Sequence, residues 1–184
     1  MTTSIIYLLG RPGFGKKTIA LELCKYDFRL CDNQLINTPI FTLILDENNS
    51  IQTSDIVWEG IRDVRSAVLK FLSRHTESSY VLTNNLYNTD WDRAIYSSVK
   101  RMAESRGSKF IPVQLEISDG EHVKRLTDPS RVAHLKSVDI KHVHDEQKLI
   151  EIEHPNLIRL DVSDLSPAQA ATEILDRAGL RNSF

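Results

Sequence analysis

The stretch of sequence that decides the fold reads Gly10-Arg11-Pro12-Gly13-Phe14-Gly15-Lys16-Lys17-Thr18. It follows the apolar run Ile5-Ile6-Tyr7-Leu8-Leu9 and precedes a helical pattern that begins at Ile19. A glycine loop with a lysine, set between a strand and a helix, is the pattern of a phosphate-binding loop, or P-loop. Glycines let backbone N–H groups curl around phosphate oxygens, and the start of the helix adds the positive end of its dipole. Lys16 adds a point charge, so residues 10–18 are predicted to contact the phosphates of a nucleotide.

One position departs from the usual P-loop pattern. The residue after the lysine is normally Ser or Thr, whose hydroxyl binds Mg²⁺, and here it is Lys17, which offers no such ligand at neutral pH. Thr18 comes one residue later, and one step along a helix turns a side chain by about 100°. Thr18 is therefore a candidate Mg²⁺ ligand without being an automatic substitute. The sequence leaves open whether Lys17 abolishes the Mg²⁺ site or replaces it.

The composition is that of one globular domain, which we expect to span residues 1–184. The chain has 184 residues, of which 41% are hydrophobic and 26% are charged, enough for a sizeable core. Its net charge of −2 and the lack of a basic stripe with interleaved aromatic residues argue against a nucleic-acid partner. The apolar runs are only strand-length and no signal peptide is recognisable, so we expect no membrane span and a cytoplasmic location. The oligomeric state cannot be read from the sequence.

Strand-like runs alternate with helical patterns along the chain, which predicts an α/β fold built from βαβ units around a mainly parallel sheet. The predicted strands cover 4–9, 28–31, 80–82, 109–117 and 157–162. The predicted helices cover 16–26, part of 33–46, 55–75, 91–106, 119–126, 140–153 and 167–178. Ligands of such sheets bind beyond the carboxyl ends of the strands. This rule selects the loops at 10–16, 32–33, 83–85 and 118–119.

Asp32 directly follows the second predicted strand. A carboxylate at this place could accept the proton of an attacking hydroxyl, or hold Mg²⁺ through water. It could also be only the N-cap of the next helix. The sequence therefore makes Asp32 a candidate catalytic, acceptor-binding and metal-binding residue.

Asn84 and Asn85 end the third predicted strand, where many P-loop proteins carry an acidic residue. Neutral amides could orient an acceptor or a metal-bound water, or they could cap the following helix. With Asp32 and Asn33 they form the predicted acceptor site. Trp58 and Trp91 lie near helix starts and are predicted to be packing residues.

Two arginines, Arg125 and Arg131, bracket a proline-containing break near the end of a predicted helix. Guanidinium groups neutralise charge that spreads over a transferred phosphoryl group, and a segment of this kind can close over bound phosphates. The sequence therefore predicts a lid at about residues 124–139, with a solvated basic helix end as the alternative.

These features together resemble the small P-loop kinases, the group that contains shikimate kinase, gluconate kinase and chloramphenicol phosphotransferase. The similarity covers nearly the whole chain in the order of its elements. Three segments are also similar to a bacterial family of AAA-type, kinase-like ATPases: Cys31-Asp32-Asn33-Gln34-Leu35-Ile36-Asn37, Phe110-Ile111-Pro112-Val113-Gln114-Leu115 and Arg125-Leu126-Thr127-Asp128-Pro129-Ser130-Arg131. The resemblance implies a three-layer P-loop NTPase fold with a five-stranded parallel sheet in the order 2-3-1-4-5, helices on both faces and a mobile lid.

The resemblance also implies roles for individual residues and ATP as the phosphate donor. Lys16 matches the phosphate lysine, Asp32 the acidic residue after the second strand, and Arg125 or Arg131 the lid arginines. Residues 161–167 match the loop that often touches adenine. The expected function is an ATP-dependent kinase that moves the γ-phosphate to a hydroxyl of a small molecule, with Lys16, Asp32, Arg125 and Arg131 as catalytic residues and Mg²⁺ as an uncertain cofactor. The alternatives are a nucleotide-binding regulator or slow NTPase with an altered metal site, and a nucleotide kinase.

Overall fold

The core of the protein is a parallel β-sheet whose strand order is β2-β3-β1-β4-β5. The computed structural model describes residues 3–47, 51–127 and 147–181. The strands are β1 Ser4–Leu9, β2 Phe28–Cys31, β3 Ser79–Asn84, β4 Lys109–Glu116 and β5 Ile158–Asp161. All four neighbouring pairs run parallel. The predicted five-stranded sheet and its order 2-3-1-4-5 are confirmed.

Strand β1 lies at the centre of the sheet because it is apolar on both faces. Every one of its residues is buried, as expected for a parallel strand that helices cover on both sides. Ile6 and Leu8 face one hydrophobic cluster, whereas Ile5, Tyr7 and Leu9 face the other. This alternation fixes the strand in the middle layer, and it places the loop that follows Leu9 at the carboxyl edge of the sheet.

Helices cover both faces of the sheet and complete the three predicted layers. They are α1 Lys16–Leu23, α2 Asn33–Leu43, α3 Asp55–Arg74, α4 Asp90–Ser105, α5 Asp119–Leu126 and α6 Pro167–Arg177, with a 3₁₀ turn at Cys24–Tyr26. Residues of α1 and α6 pack on the face of Ile6 and Leu8, and residues of α3 and α4 pack on the opposite face. Helix α2 packs against α3 in a smaller cluster around Ile36, Val57 and Ile61.

The predicted helix over 140–153 is wrong in its described part. Residues 147–153 are not helical, and the backbone N–H of Ile150 donates to the carbonyl of Leu86 at 3.0 Å. Ile150 and Ile152, two residues apart, are both buried in the cluster between the sheet and α3 and α4. A spacing of two is the period of extended chain, and here it outweighs the apparent helical pattern. Residues 140–146 lie outside the described residues.

Only the first residues of the predicted lid are described. Residues 124–127 form the end of α5 and the residue after it, and 128–139, with Arg131, lie outside the described residues. Within the described ranges, no helix is both long enough and apolar enough to cross a bilayer.

Candidate functional site

The predicted P-loop joins β1 to α1 at the carboxyl edge of the sheet. Gly13 and Gly15 have φ angles of +93° and +82°, which residues with a Cβ rarely adopt. The first hydrogen bond of α1 runs from the N–H of Ile19 to the carbonyl of Gly15 at 3.0 Å. The N–H groups of residues 16–18 therefore precede the helical series, as an anion-binding helix start requires.

Lys16 is bound to the loop that it is predicted to serve. Its ammonium donates to the carbonyl oxygens of Gly10 at 2.5 Å and of Arg11 at 2.8 Å. The positive charge is therefore held against the loop backbone. There it can exchange carbonyl partners for phosphate oxygens with a small movement of a flexible side chain.

Lys17 forms an ion pair with Asp32 across the loop. The distance from Lys17 Nζ to Asp32 Oδ2 is 3.4 Å, and the same ammonium donates to Gln34 Oε1 at 3.3 Å. The second carboxylate oxygen, Oδ1 of Asp32, accepts the N–H of Leu35 at 2.9 Å and caps α2. Asp32 is 7% exposed. One carboxylate oxygen of Asp32 thus caps α2 and the other faces Lys17. Asp32 can therefore cap the helix and also take part in the candidate site.

The residues around Lys17 do not fit the usual P-loop Mg²⁺ site. An ammonium lies where the hydroxyl ligand would be, and it already pairs with the carboxylate of Asp32. The hydroxyl of Thr18 donates to the carbonyl of Gly15 at 2.7 Å, so it turns back to the start of its own helix. Among the residues that the structure describes, no group of three His, Cys, Asp or Glu side chains could hold a metal ion. Thr18 and Asp32 as Mg²⁺ ligands stay a prediction that these contacts do not support.

Helix α5 is fixed to the P-loop by His122, a residue that the sequence analysis missed. Its Nε2 lies 2.7 Å from the carbonyl oxygen of Pro12, and because that oxygen only accepts, Nε2 is the donor. The imidazole meets the ring of Phe14 edge-on, with 4.8 Å between the ring centroids. His122 is 2% exposed. A lone histidine in a short helix carries no motif, and only the folded chain brings it to the loop.

Arg125, one turn further along α5, links the P-loop to the loop after β5. Its Nε donates to Glu121 Oε1 and its Nη2 donates to the carbonyl of Val162, both at 2.9 Å. Its Nη1 lies 3.3 Å from the point that a Cβ on Gly15 would occupy. The predicted lid arginine is therefore already oriented beside the P-loop, and the predicted adenine loop, 161–167, begins beside it.

A cavity of about 680 Å³ lies among α2, α3, α4 and the carboxyl end of β3. Three of the four predicted acceptor residues line it, and Asp32 does not. The lining residues are Asn33, Asn37, Asp55, Trp58, Glu59, Ile61, Arg62, Arg65, Asn84, Asn85, Tyr87, Trp91, Asp92 and Ile95. We call this space the α2–α4 cavity. Its position beside the end of β3 agrees with the rule that ligands bind beyond the carboxyl ends of strands.

The two asparagines after β3 differ in what they can offer a ligand. Asn84 is 6% exposed. Its Nδ2 donates to the hydroxyl of Tyr7 at 3.1 Å, and its Oδ1 accepts the N–H of Asn85 at 2.9 Å. The Oδ1 of Asn85 is buried and has no hydrogen-bond partner among the described residues. Neither asparagine caps α4, which Thr89 caps by accepting the N–H of Asp92. Asn85 is thus the one with an acceptor atom to offer.

The α2–α4 cavity contains a guanidinium and a carboxylate. Arg65 donates to Asn33 Oδ1 at 3.1 Å and to Asn37 Oδ1 at 3.5 Å, and burial lowers its pKa. Within the described residues no carboxylate lies within 4.0 Å of Arg65. Asp92 accepts the N–H of Tyr87 at 2.7 Å, and burial raises its pKa. The guanidinium is therefore held by neutral amides and has no direct ion pair among the described residues, although the negative charge of Asp92 lies near enough to act on it.

The two tryptophans belong to the cavity wall, which corrects their prediction as packing residues. Trp58 is 40% exposed and Trp91 is 45% exposed, and both line the α2–α4 cavity. The guanidinium of Arg62 lies over the ring of Trp91 at 4.7 Å from the ring centroid. Large exposed aromatic side chains are costly to leave in water, so two of them at one cavity indicate a ligand surface.

A second cavity, of about 830 Å³, runs along the edge strand β5 and α6. Its lining includes Asp161, Asp164 and Glu173 but no residue of the P-loop. The smaller α2–α4 cavity is the one that adjoins the loops expected to carry chemistry, so it is the better candidate for an acceptor.

Comparison with known proteins agrees with this architecture. No protein-family model and no curated protein matches the chain. Among solved structures, the chain is similar to a sugar kinase from Janibacter sp. HTCC2649, with 15% identity, a TM-score of 0.65 and coverage of 98% of this chain and 97% of that one. These similarities establish the fold.

The chain has the fold of the small P-loop kinases. It is also similar to a gluconokinase from Sinorhizobium meliloti 1021, at 15% identity, a TM-score of 0.61 and coverage of 96% and 91%. A shikimate kinase from Acinetobacter baumannii in complex with shikimate matches at 19% identity, a TM-score of 0.56 and coverage of 95% and 92%. The expected resemblance to P-loop kinases of small molecules is confirmed at the level of the fold. The closer similarity to AAA-type, kinase-like ATPases stays a prediction.

Proposed function

We propose that this protein is an ATP-dependent kinase that transfers the γ-phosphate of ATP to a hydroxyl group of a small molecule in the α2–α4 cavity. One observation carries the proposal. Asp32 is paired with Lys17 of the P-loop helix, and the next residue, Asn33, lines the cavity. A carboxylate thus stands one residue from the cavity wall and in contact with the predicted phosphate-binding loop, and a phosphoryl acceptor needs such a group beside it.

Each of the four predicted catalytic residues has a role in this proposal. The loop from Gly10 to Gly15 and Lys16 hold the phosphates, and Arg125 neutralises charge on the transferred group, together with Arg131, which lies outside the described residues. Asp32 accepts the proton of the attacking hydroxyl. Because phosphoryl transfer asks little covalent chemistry of the protein, positioning and charge neutralisation supply the catalysis.

The α2–α4 cavity favours an acceptor that carries a negative group and presents a flat ring. The guanidinium of Arg65, whose described hydrogen bonds go to amide oxygens, suits a carboxylate or a phosphate. The unpaired Oδ1 of Asn85 suits a hydroxyl that donates a hydrogen bond. The partly exposed side chains of Trp58 and Trp91 suit the apolar face of a ring. Hydroxylated ring acids and ring phosphates combine these three properties.

A nucleotide kinase is the second candidate, and the two tryptophans favour it. A nucleobase could stack on Trp58 or Trp91 while its monophosphate pairs with Arg65. A nucleotide-binding regulator is the third candidate, and Lys17 at the usual metal-ligand position favours it. A protein with a changed metal site can bind a nucleotide without turning it over.

An ADP-release assay with an acceptor panel tests the proposal. The panel contains hydroxylated ring acids, ring phosphates, neutral sugars and nucleoside monophosphates, each added to the full chain with ATP. We expect ADP release that depends on an anionic ring acceptor, with a phosphorylated product visible by mass spectrometry. Release that only nucleoside monophosphates stimulate would establish the nucleotide kinase. ATP binding without acceptor-dependent release by any compound would favour the regulator and contradict the proposal.

A further inference from the structure

We propose that Lys17 supplies the positive charge that Mg²⁺ supplies in other P-loop sites, so that this chain binds ATP without a divalent cation. The inference rests on the proposed binding of ATP at the P-loop. It goes beyond that proposal because it assigns to a protein side chain a charge that is normally brought in with the nucleotide.

The position of Lys17 is the first argument. In a P-loop, the residue after the phosphate lysine points its hydroxyl at the Mg²⁺ that accompanies the nucleotide. In this chain the same backbone position carries a primary ammonium on a four-carbon stem. The charge is therefore delivered from the position at which the metal would otherwise be bound.

The partner of Lys17 is the second argument. Its Nζ lies 3.4 Å from Oδ2 of Asp32, the carboxylate at the end of β2 that the sequence analysis considered as a holder of Mg²⁺ through water. Gln34 Oε1, at 3.3 Å, completes an oxygen environment around the ammonium. The ammonium of Lys17 thus already lies among the oxygens that would attract a metal ion. This positive charge belongs to a side chain of the protein itself.

The accessibility of Lys17 is the third argument. Asp32 is buried, with its side chain 10% exposed, but the side chain of Lys17 is 42% exposed. An ammonium has three donors, and two of those of Lys17 are directed to Asp32 and Gln34. The flexible stem can therefore hold these partners on one side and offer its third donor to a phosphate on the other. A divalent ion at the same place would be repelled by Lys17 and would have to displace it from Asp32.

Calorimetric titration of the full chain with ATP tests this inference. The titrations are run in excess EDTA and in excess Mg²⁺, on the wild type and on Lys17→Ser and Lys17→Met. We expect the wild type to bind ATP in EDTA with an affinity within about threefold of that in Mg²⁺. Lys17→Ser, which restores the usual ligand, should bind about tenfold or more tightly with Mg²⁺ than without it. Lys17→Met should bind weakly in both buffers.

Lys25→Met is the matched control, because it removes a lysine that pairs with Glu22 on the surface away from the loop. It should behave as the wild type in both buffers. Wild-type binding of ATP only in Mg²⁺ would overturn the inference and leave the proposed kinase intact. Absence of binding in both buffers would overturn the proposed function, and the inference with it. A Lys17→Ser variant with no gain from Mg²⁺ would also overturn the inference, because the position would then not be that of the metal.

Discussion

The imidazole of His122 and the backbone of Pro12 are joined by a hydrogen bond of 2.7 Å between Nε2 and the carbonyl oxygen. The bond connects α5, the helix that leads into the predicted lid, to the middle of the predicted phosphate-binding loop. The loop is therefore held in shape by a helix distant in sequence as well as by its own glycines. Arg125, on the same helix, lies beside Gly15.

His122→Phe should weaken both the fold and nucleotide binding. The phenyl ring keeps the edge-on contact with Phe14 but leaves the carbonyl of Pro12 without its donor, and an unsatisfied buried group of this kind costs about 1–3 kcal/mol. The free energy of unfolding in urea and the affinity for ATP should both fall. His122→Gln is the matched control, because its amide can donate from a similar distance, and it should recover most of the loss. Equal behaviour of the two variants would show that the hydrogen bond contributes little.

Gly13→Ala should destabilise the protein more than Gly107→Ala. Both glycines have positive φ angles, +93° and +68°, so each substitution carries a backbone cost of about 1–2 kcal/mol. A Cβ on Gly13 would also lie 2.9 Å from Cδ2 of His122, whereas nothing lies within 4 Å of one on Gly107. We expect a lower midpoint of thermal unfolding for Gly13→Ala. Equal midpoints of thermal unfolding for the two variants would contradict the close contact between α5 and the P-loop.

Asp32→Asn should separate catalysis from structure. Asparagine caps a helix as well as aspartate does, so the cap of α2 at Leu35 and the stability of the fold should be preserved. The negative charge that could accept a proton is lost, and acceptor-dependent ADP release should fall by about 10²-fold or more. Titration with ATP should show that binding persists. Full acceptor-dependent activity in Asp32→Asn would leave Asp32 with a capping role alone.

Arg65→Gln should raise KM for the acceptor and leave KM for ATP nearly unchanged, because Arg65 lines the α2–α4 cavity and makes no contact with the P-loop among the described residues. Loss of a charged hydrogen bond to an anionic acceptor should raise KM for that acceptor by about 10-fold or more. Arg74→Gln, at the exposed end of the same helix, is the control and should match the wild type. A change in KM for ATP alone would contradict the assignment of the cavity to the acceptor.

The sheet was predictable because each strand is marked by residues that lie next to one another in the sequence. An uninterrupted apolar run such as β1, followed by a glycine loop, identifies a central parallel strand, and the same reasoning identified the other strands in order. The segment after 147 was not predictable in this way, since so short a run carries too few apolar positions to separate a helix from extended chain. Its pairing with Leu86 is a long-range contact that no local pattern reveals.

The residues of the candidate site that belong to a sequence motif were predictable. The residues that only the packing of the helices brings to the site were missed. Lys16 and Asp32 follow from the motif and from their place at strand ends. His122 and Arg65 carry no motif, and their functions depend on which helices the fold brings to the P-loop and the cavity. Trp58 and Trp91 are predicted to be packing residues because a sequence shows that a side chain is large and apolar, but not which face of its helix is covered.

Binding of ATP to the wild type and to Lys16→Ala is the most direct test of the account, since every proposed role presupposes a nucleotide on the P-loop. Lys16 lies on the loop, where its ammonium donates to the backbone carbonyls of Gly10 and Arg11, so its removal should leave the fold and its thermal midpoint intact. In calorimetric titrations we expect clear binding to the wild type and a loss of about 10²-fold or more in Lys16→Ala, the order of one or two charge-assisted hydrogen bonds. Equal affinities in the two proteins would contradict the assignment of residues 10–18 as a nucleotide-binding loop.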